Sequence, residues 1–158
     1  PLTELLNRRY FYIRLSLALQ MSKRDQNYGA VIFIDLNKFK KLNDQYGHNT
    51  GDAYLVEIAE RMKAVVREKD CLAGIGGDEF VVLLEGLSRN EQTAKQNAYR
   101  VADKLQTAIE VEFIHQDLNY RGSASVGVTM FLGTQKTADE IVAQADQHMY
   151  LIKHAMNY

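Results

Sequence analysis

Two adjacent carboxylates, Asp78 and Glu79, follow a glycine pair, Gly76-Gly77, between two short apolar runs. The runs at 71–73 and 80–84 read as the arms of a hairpin, which puts both acids at its tip. Glycines at such a tip let the backbone take positive φ and let a ligand come close. Two acids there are either solvated turn residues, since Gly-Gly-Asp is common turn chemistry, or oxygen ligands for a hard cation. A third acid bears on the choice. Asp35 lies near the end of a continuous apolar run at 30–36 (AVIFIDL), a place that an acid rarely enters without a partner.

If that run is a strand paired with the hairpin, Asp35, Asp78 and Glu79 share one end of a sheet. Three carboxylates gathered there repel one another unless a cation lies between them. Oxygen-only ligands point to Mg²⁺ or Mn²⁺ rather than zinc, and His48, His115, His148 and His154 show no metal-ligand spacing. Mg²⁺ held by few carboxylates also takes phosphate oxygens, so a nucleoside triphosphate is the natural substrate. The start of a short helix at 38–46 offers free N–H groups and a positive dipole end to those phosphates. Lys40 and Lys153 are candidate phosphate clamps, with a solvated helix face as the alternative for each.

The elements that must position these groups follow from pattern. Thr3 is the expected cap of a first helix running to about Met21, with Leu5, Leu6, Tyr10, Ile13 and Leu17 on its apolar side. The run at 30–36 suits a strand buried on both faces. Asn37 is the expected cap of helix 38–46, which Gly47 ends, and a longer helix follows Gly51-Asp52. Ser88-Arg89-Asn90-Glu91 and Thr137-Ala138-Asp139-Glu140 are capping-box patterns, opening helices to about Ile109 and through Ile152. Strands near 111–114 and 123–131 flank a polar turn. This order predicts an α+β fold of the ferredoxin-like, split βαβ type, a sheet covered by helices with a cleft at the strand ends.

Composition bounds the rest. The 158 residues suffice for one domain, and 46% hydrophobic with 25% charged residues is ordinary globular composition. The net charge of −1 gives no bulk electrostatic argument for nucleic acid. Cys71 is the only cysteine, so no internal disulfide forms. No apolar run approaches the roughly 18 residues of a membrane span. The abrupt start at Pro1-Leu2-Thr3 reads as one domain, 1–158, taken from a longer protein, expected in the cytoplasm with a parent that is free to be membrane-attached.

At this point the chain resembles the GGDEF domain, the diguanylate cyclase family, over its whole length. The resemblance rests on PLTELLNRR, DLNKFKKLNDQYGHNTGD, IGGDEFVVLL, SASVGVT and ADQHMYLIK in order. It implies a polymerase-palm-like ferredoxin fold and Mg²⁺-dependent condensation of two GTP into cyclic di-GMP and pyrophosphate. Carried over by position, Asp35 and Asp78 would hold metal with the Leu36 carbonyl, and Glu79 would be a further metal or catalytic carboxylate. Asn43 and Asp52 match the guanine-recognising pair. Lys40, Lys153 and the backbone around Phe39, with Gly76 and Gly77, would contact phosphate. Arg67 and Asp70 match an inhibitory site for cyclic di-GMP. Two domains must meet face to face as a homodimer, because each brings one GTP. This domain is expected to touch neither nucleic acid nor membrane.

The match departs from the family at named places. Gly74 stands where the family usually has Arg, Asn37 replaces an Asp, and Met156-Asn157 replace a Gly-Arg pair. Glu4 and Leu6 replace a Gly and a Pro. Two readings follow: an active cyclase, or a catalytically weak or inactive module that binds GTP or cyclic di-GMP and regulates an attached domain.

Overall fold

The computed structural model describes residues 2–155. Its elements, in order, are α1 (Arg8–Asp25), β1 (Tyr28–Leu36), α2 (Phe39–Tyr46), α3 (His48–Val65), β2 (Cys71–Gly74) and β3 (Glu79–Ser88). Then come α4 (Glu91–Glu110), β4 (Phe113–His115), β5 (Leu118–Tyr120), β6 (Ala124–Phe131) and α5 (Ala138–Ala155). Four strands form one antiparallel sheet in the order β2-β3-β1-β6, and β4-β5 is a separate two-stranded ribbon. This is the expected helix-covered α+β sheet.

β1 is central, and its β-branched run is buried on both faces as its sequence requires. Ile32, Ile34 and Leu36 face α2, α3 and α4 through Leu42, Ile58, Met62 and Leu105. Val31 and Phe33 face α1 and α5 through Phe11, Leu15, Ile141 and Met149. The sheet is therefore the middle of three layers, and Asp35 emerges at its end.

Several local expectations change. Asn7, not Thr3, caps α1 by accepting from the Tyr10 N–H at 2.9 Å. The buried face of α1 is Phe11, Leu15, Ala18, Leu19 and Ser22, whereas Tyr10, Ile13 and Leu17 are exposed. Both faces of the helix are apolar, so periodicity alone chose the wrong one. Asn90 caps α4, accepting from Thr93 N–H, while the Ser88 hydroxyl accepts from Asn90 N–H. The capping box at Thr137 and Glu140 forms as expected, with reciprocal bonds of 3.1 Å. Gly51 and Asp52 lie inside α3, which starts at His48, rather than before it.

Candidate active site

The hairpin joining β2 to β3 closes through Ile75 N–H to the Glu79 carbonyl at 3.0 Å. Glu79 stands directly opposite Asp35 in the β1–β3 register, so the two side chains share a face. The Leu36 N–H donates to the Asp78 carbonyl at 3.0 Å, tying the hairpin tip to the end of β1. The sequence reading thus placed these three acids correctly at one sheet end. Gly76 and Gly77 are exposed but neither adopts the left-handed region expected of them. Gly76 is instead overlain by Glu79, whose Oε1 would lie 2.7 Å from an added Cβ.

Burial pushes the Asp78 carboxyl above its ordinary range, and the negative charge of Asp35 adds to the effect. Burial also raises Glu79, with the charges of Asp35, Asp78 and Asp146 behind it and Arg8 opposing. Each acid is therefore harder to ionise than a solvated carboxyl, and a nearby cation would oppose the shift. One cation is already present: Lys153, near the end of α5, donates to Asp35 Oδ2 at 2.9 Å. A preformed three-acid cage is not found; among the described residues no three His, Cys, Asp or Glu side chains gather to hold an ion. Asp35 is instead engaged by Lys153. Mg²⁺ needs only one or two carboxylates beside phosphate and water, so the acids, with the Leu36 carbonyl, fit it.

The start of α2 fits an anion. Lys38 occupies the N-cap with φ 59° and no side chain caps the helix, which leaves first-turn N–H groups, those of Phe39 and Lys40 among them, without a side-chain acceptor. Lys40 is exposed beside them. Asn37 is no cap. It is buried, donating from Nδ2 to Ser123 Oγ at 2.9 Å and accepting at Oδ1 from Ser125 Oγ at 2.9 Å, while its N–H reaches the Ser123 carbonyl. This clamp joins the β1–α2 turn to β6. Two serines at alternate positions, one just before β6 and one within it, were its only sequence signal.

Asn43 packs against α3 where Gly51 leaves room; an added Cβ would lie only 1.7 Å from its Oδ1. That Oδ1 is buried and accepts no hydrogen bond. Asp52, the next residue after Gly51, is exposed. Asn43 on α2 thus lies against the residue that precedes Asp52 on α3.

Arg67 and Asp70 form a separate cluster before β2. The guanidinium forks onto Asp70 at 2.8 and 3.0 Å, the Arg67 N–H adds a third bond at 2.9 Å, and Nη2 reaches the Glu85 carbonyl. The carboxylate is buried within this turn, while Arg67 stays open to solvent.

The family "Diguanylate cyclase, GGDEF domain" matches residues 1–158. The chain belongs to the GGDEF family. The bifunctional diguanylate cyclase/cyclic di-GMP phosphodiesterase MucR of Pseudomonas aeruginosa is 40% identical over 152 residues, covering 96% of this chain and 21% of MucR. The GGDEF domain structure of TpbB, also from Pseudomonas aeruginosa, superposes with a TM-score of 0.90 at 35% identity, covering 98% of this chain and 87% of that one. The GGDEF domain of DgcB from Caulobacter crescentus, solved in complex with c-di-GMP, shares the fold at a TM-score of 0.85 and 22% identity, with coverage of 98% and 86%. The chain thus spans about a fifth of MucR's length. Gly74 ends β2 with nothing within 4 Å of an added Cβ, an open place beside the signature. Met156 and Asn157 lie outside the described residues.

Proposed function

We propose that this domain is a diguanylate cyclase, condensing two GTP into cyclic di-GMP with release of two pyrophosphates. The observation that carries this is the juxtaposition of the Asp35–Asp78–Glu79 end of the sheet with the uncapped start of α2. One end offers oxygen ligands, the other N–H donors to phosphate. Bound Mg²⁺ would neutralise triphosphate charge and lower the pKa of the attacking 3′-hydroxyl.

The protein residues then divide the work. Asp35 and Asp78, with the Leu36 carbonyl, are the metal ligands, and Glu79 is the further metal or catalytic carboxylate. The amides around Phe39, together with Lys40, orient phosphate, and Gly76 and Gly77 leave room for it. Lys153 holds Asp35 in the absence of nucleotide and is within reach to exchange that partner for a phosphate oxygen. Asn43 and Asp52 recognise guanine, the Asp52 carboxylate accepting from N1–H and the exocyclic amine. Adenine lacks this donor pair, which gives the base selectivity. Two such domains, related by a two-fold axis, bring the hydroxyl of each nucleotide to the α-phosphate of the other. Cyclic di-GMP, the product, is the ligand for Arg67, whose outer edge stays open for phosphate or guanine beside Asp70.

A weaker, regulatory module is the second reading, and Gly74 favours it, because the open place at the end of β2 lacks a cation for the triphosphate. Pyrophosphate release measured with GTP and with ATP tests the first reading. Release with GTP, little with ATP, and loss of selectivity in Asp52→Ala are expected; equal turnover of both nucleotides contradicts it.

A further inference from the structure

The face of α1 that its sequence marks as apolar, yet which the fold leaves outside, points to a docking surface. Tyr10, Ile13, Leu17 and Met21 are 58%, 47%, 59% and 44% exposed. Their spacing of three, four and four residues sets them in one stripe about 16 Å long on an α-helix. An open groove of about 990 Å³ runs beside the stripe, lined by Arg8, Arg9, Tyr12, Ile13, Leu17 and Asp139 among others. The helix's opposite face is already spent on the sheet, through Phe11, Leu15 and Leu19. The stripe therefore contributes nothing to the described core.

Charge decides the occupant. Five of the chain's nineteen basic residues but one of its twenty acids lie in α1, so this helix carries +4 in a chain of net charge −1. Arg14 pairs with Glu85 and Arg24 with the neighbouring Asp25. Arg8 lies over the Tyr12 ring at 5.5 Å. Arg8, Arg9 and Lys23 make no ion pair among the described residues. A second copy of the same helix would set +4 against +4, which disfavours self-pairing. A flat anionic lipid surface would leave the groove unfilled and would meet Asp139 on its wall. A helix fits both features, since a seam at this spacing takes ridges from another helix.

We propose that α1 docks an acid-flanked amphipathic helix of another protein, its apolar seam on Tyr10, Ile13, Leu17 and Met21 and its carboxylates against Arg9 and Lys23. The surface lies on the α1–α5 side of the sheet and requires no nucleotide.

A labelled peptide of about three heptads, with Ile and Leu at the seam and Glu on both flanks, is the probe; its own charges keep it from pairing with itself. Fluorescence anisotropy against the folded domain should show saturable binding that weakens as salt is added. Ile13→Asp with Leu17→Asp should weaken it by at least about tenfold, with circular dichroism unchanged, because both sites are half-exposed. Arg9→Glu should weaken it without touching the seam, and a peptide with Lys flanks should not bind. Absence of binding, or binding indifferent to the Asp substitutions, overturns the proposal. So does stripe-dependent sedimentation with phosphatidylserine vesicles in place of peptide binding, or a stripe-dependent dimer in analytical ultracentrifugation.

Discussion

Asp35 and Glu79 face each other across β1 and β3, with Asp78 one residue away, and among the described residues Lys153 is the one cation paired with this group, through Asp35. Removing one charge should therefore stabilise the empty domain while disabling it. Asp78→Asn is expected to raise the melting temperature without metal by roughly 2–4 °C and to abolish the rise that Mg²⁺ gives the parent, as read by differential scanning fluorimetry. The pH dependence has the same origin. Asp78 and Glu79 are raised on folding, so the stability they contribute is complete below the ordinary carboxylate range and is lost as pH climbs through their raised values. Metal-free melting temperatures should fall over that window, and saturating Mg²⁺ should flatten the fall; a rise with pH there would reverse the assignment. Gly74 yields the opposite kind of test. An arginine has open space at that position, and Gly74→Arg is expected to raise turnover by at least about tenfold by supplying charge to the triphosphate. An unchanged rate would show that another cation already serves.

α5, which carries Lys153 to Asp35, lies close on β6. An added Cβ at Gly127 would come within 2.3 Å of the Ala145 carbonyl oxygen and the Met149 nitrogen, so backbone rests on backbone there. Gly127→Ala should push the helix outward, cost about 1–3 kcal/mol in urea unfolding, and raise KM for GTP as the Lys153 contact opens. Retained stability with unaltered KM would mean that α5 does not set the site. At this scale the sequence was legible where one force acted alone. The buried run of β1, the hairpin carrying Asp78 and Glu79, and the capping box of α5 each had one solution. α1 had two apolar faces, and only contact with Val31 and Phe33 selected the one holding Phe11 and Leu15. Asn37 looked like a cap because Asn caps helices well. Its side chain found two serines at the start of β6, Ser123 just before the strand and Ser125 in it, 86 and 88 residues away, a tertiary partnership that no local pattern encodes. Asn43 and Asp52 were singled out chiefly by family resemblance, because no local pattern marks a base-recognising pair.

The molecule as a whole is a three-layer platform with its candidate chemistry at one sheet end and a basic helix on one flank. On the proposed function each platform binds one nucleotide, so the reaction is a property of two copies. Initial rate at low protein concentration should rise as about the square of that concentration, then become linear once dimers saturate. The most direct test of the central claim is to incubate the purified domain, at concentrations spanning that range, with GTP and Mg²⁺ and to identify the products by chromatography and mass spectrometry. Cyclic di-GMP is expected, formed with GTP alone and absent from Asp78→Asn. Bound GTP with no cyclic dinucleotide at any protein concentration would contradict it.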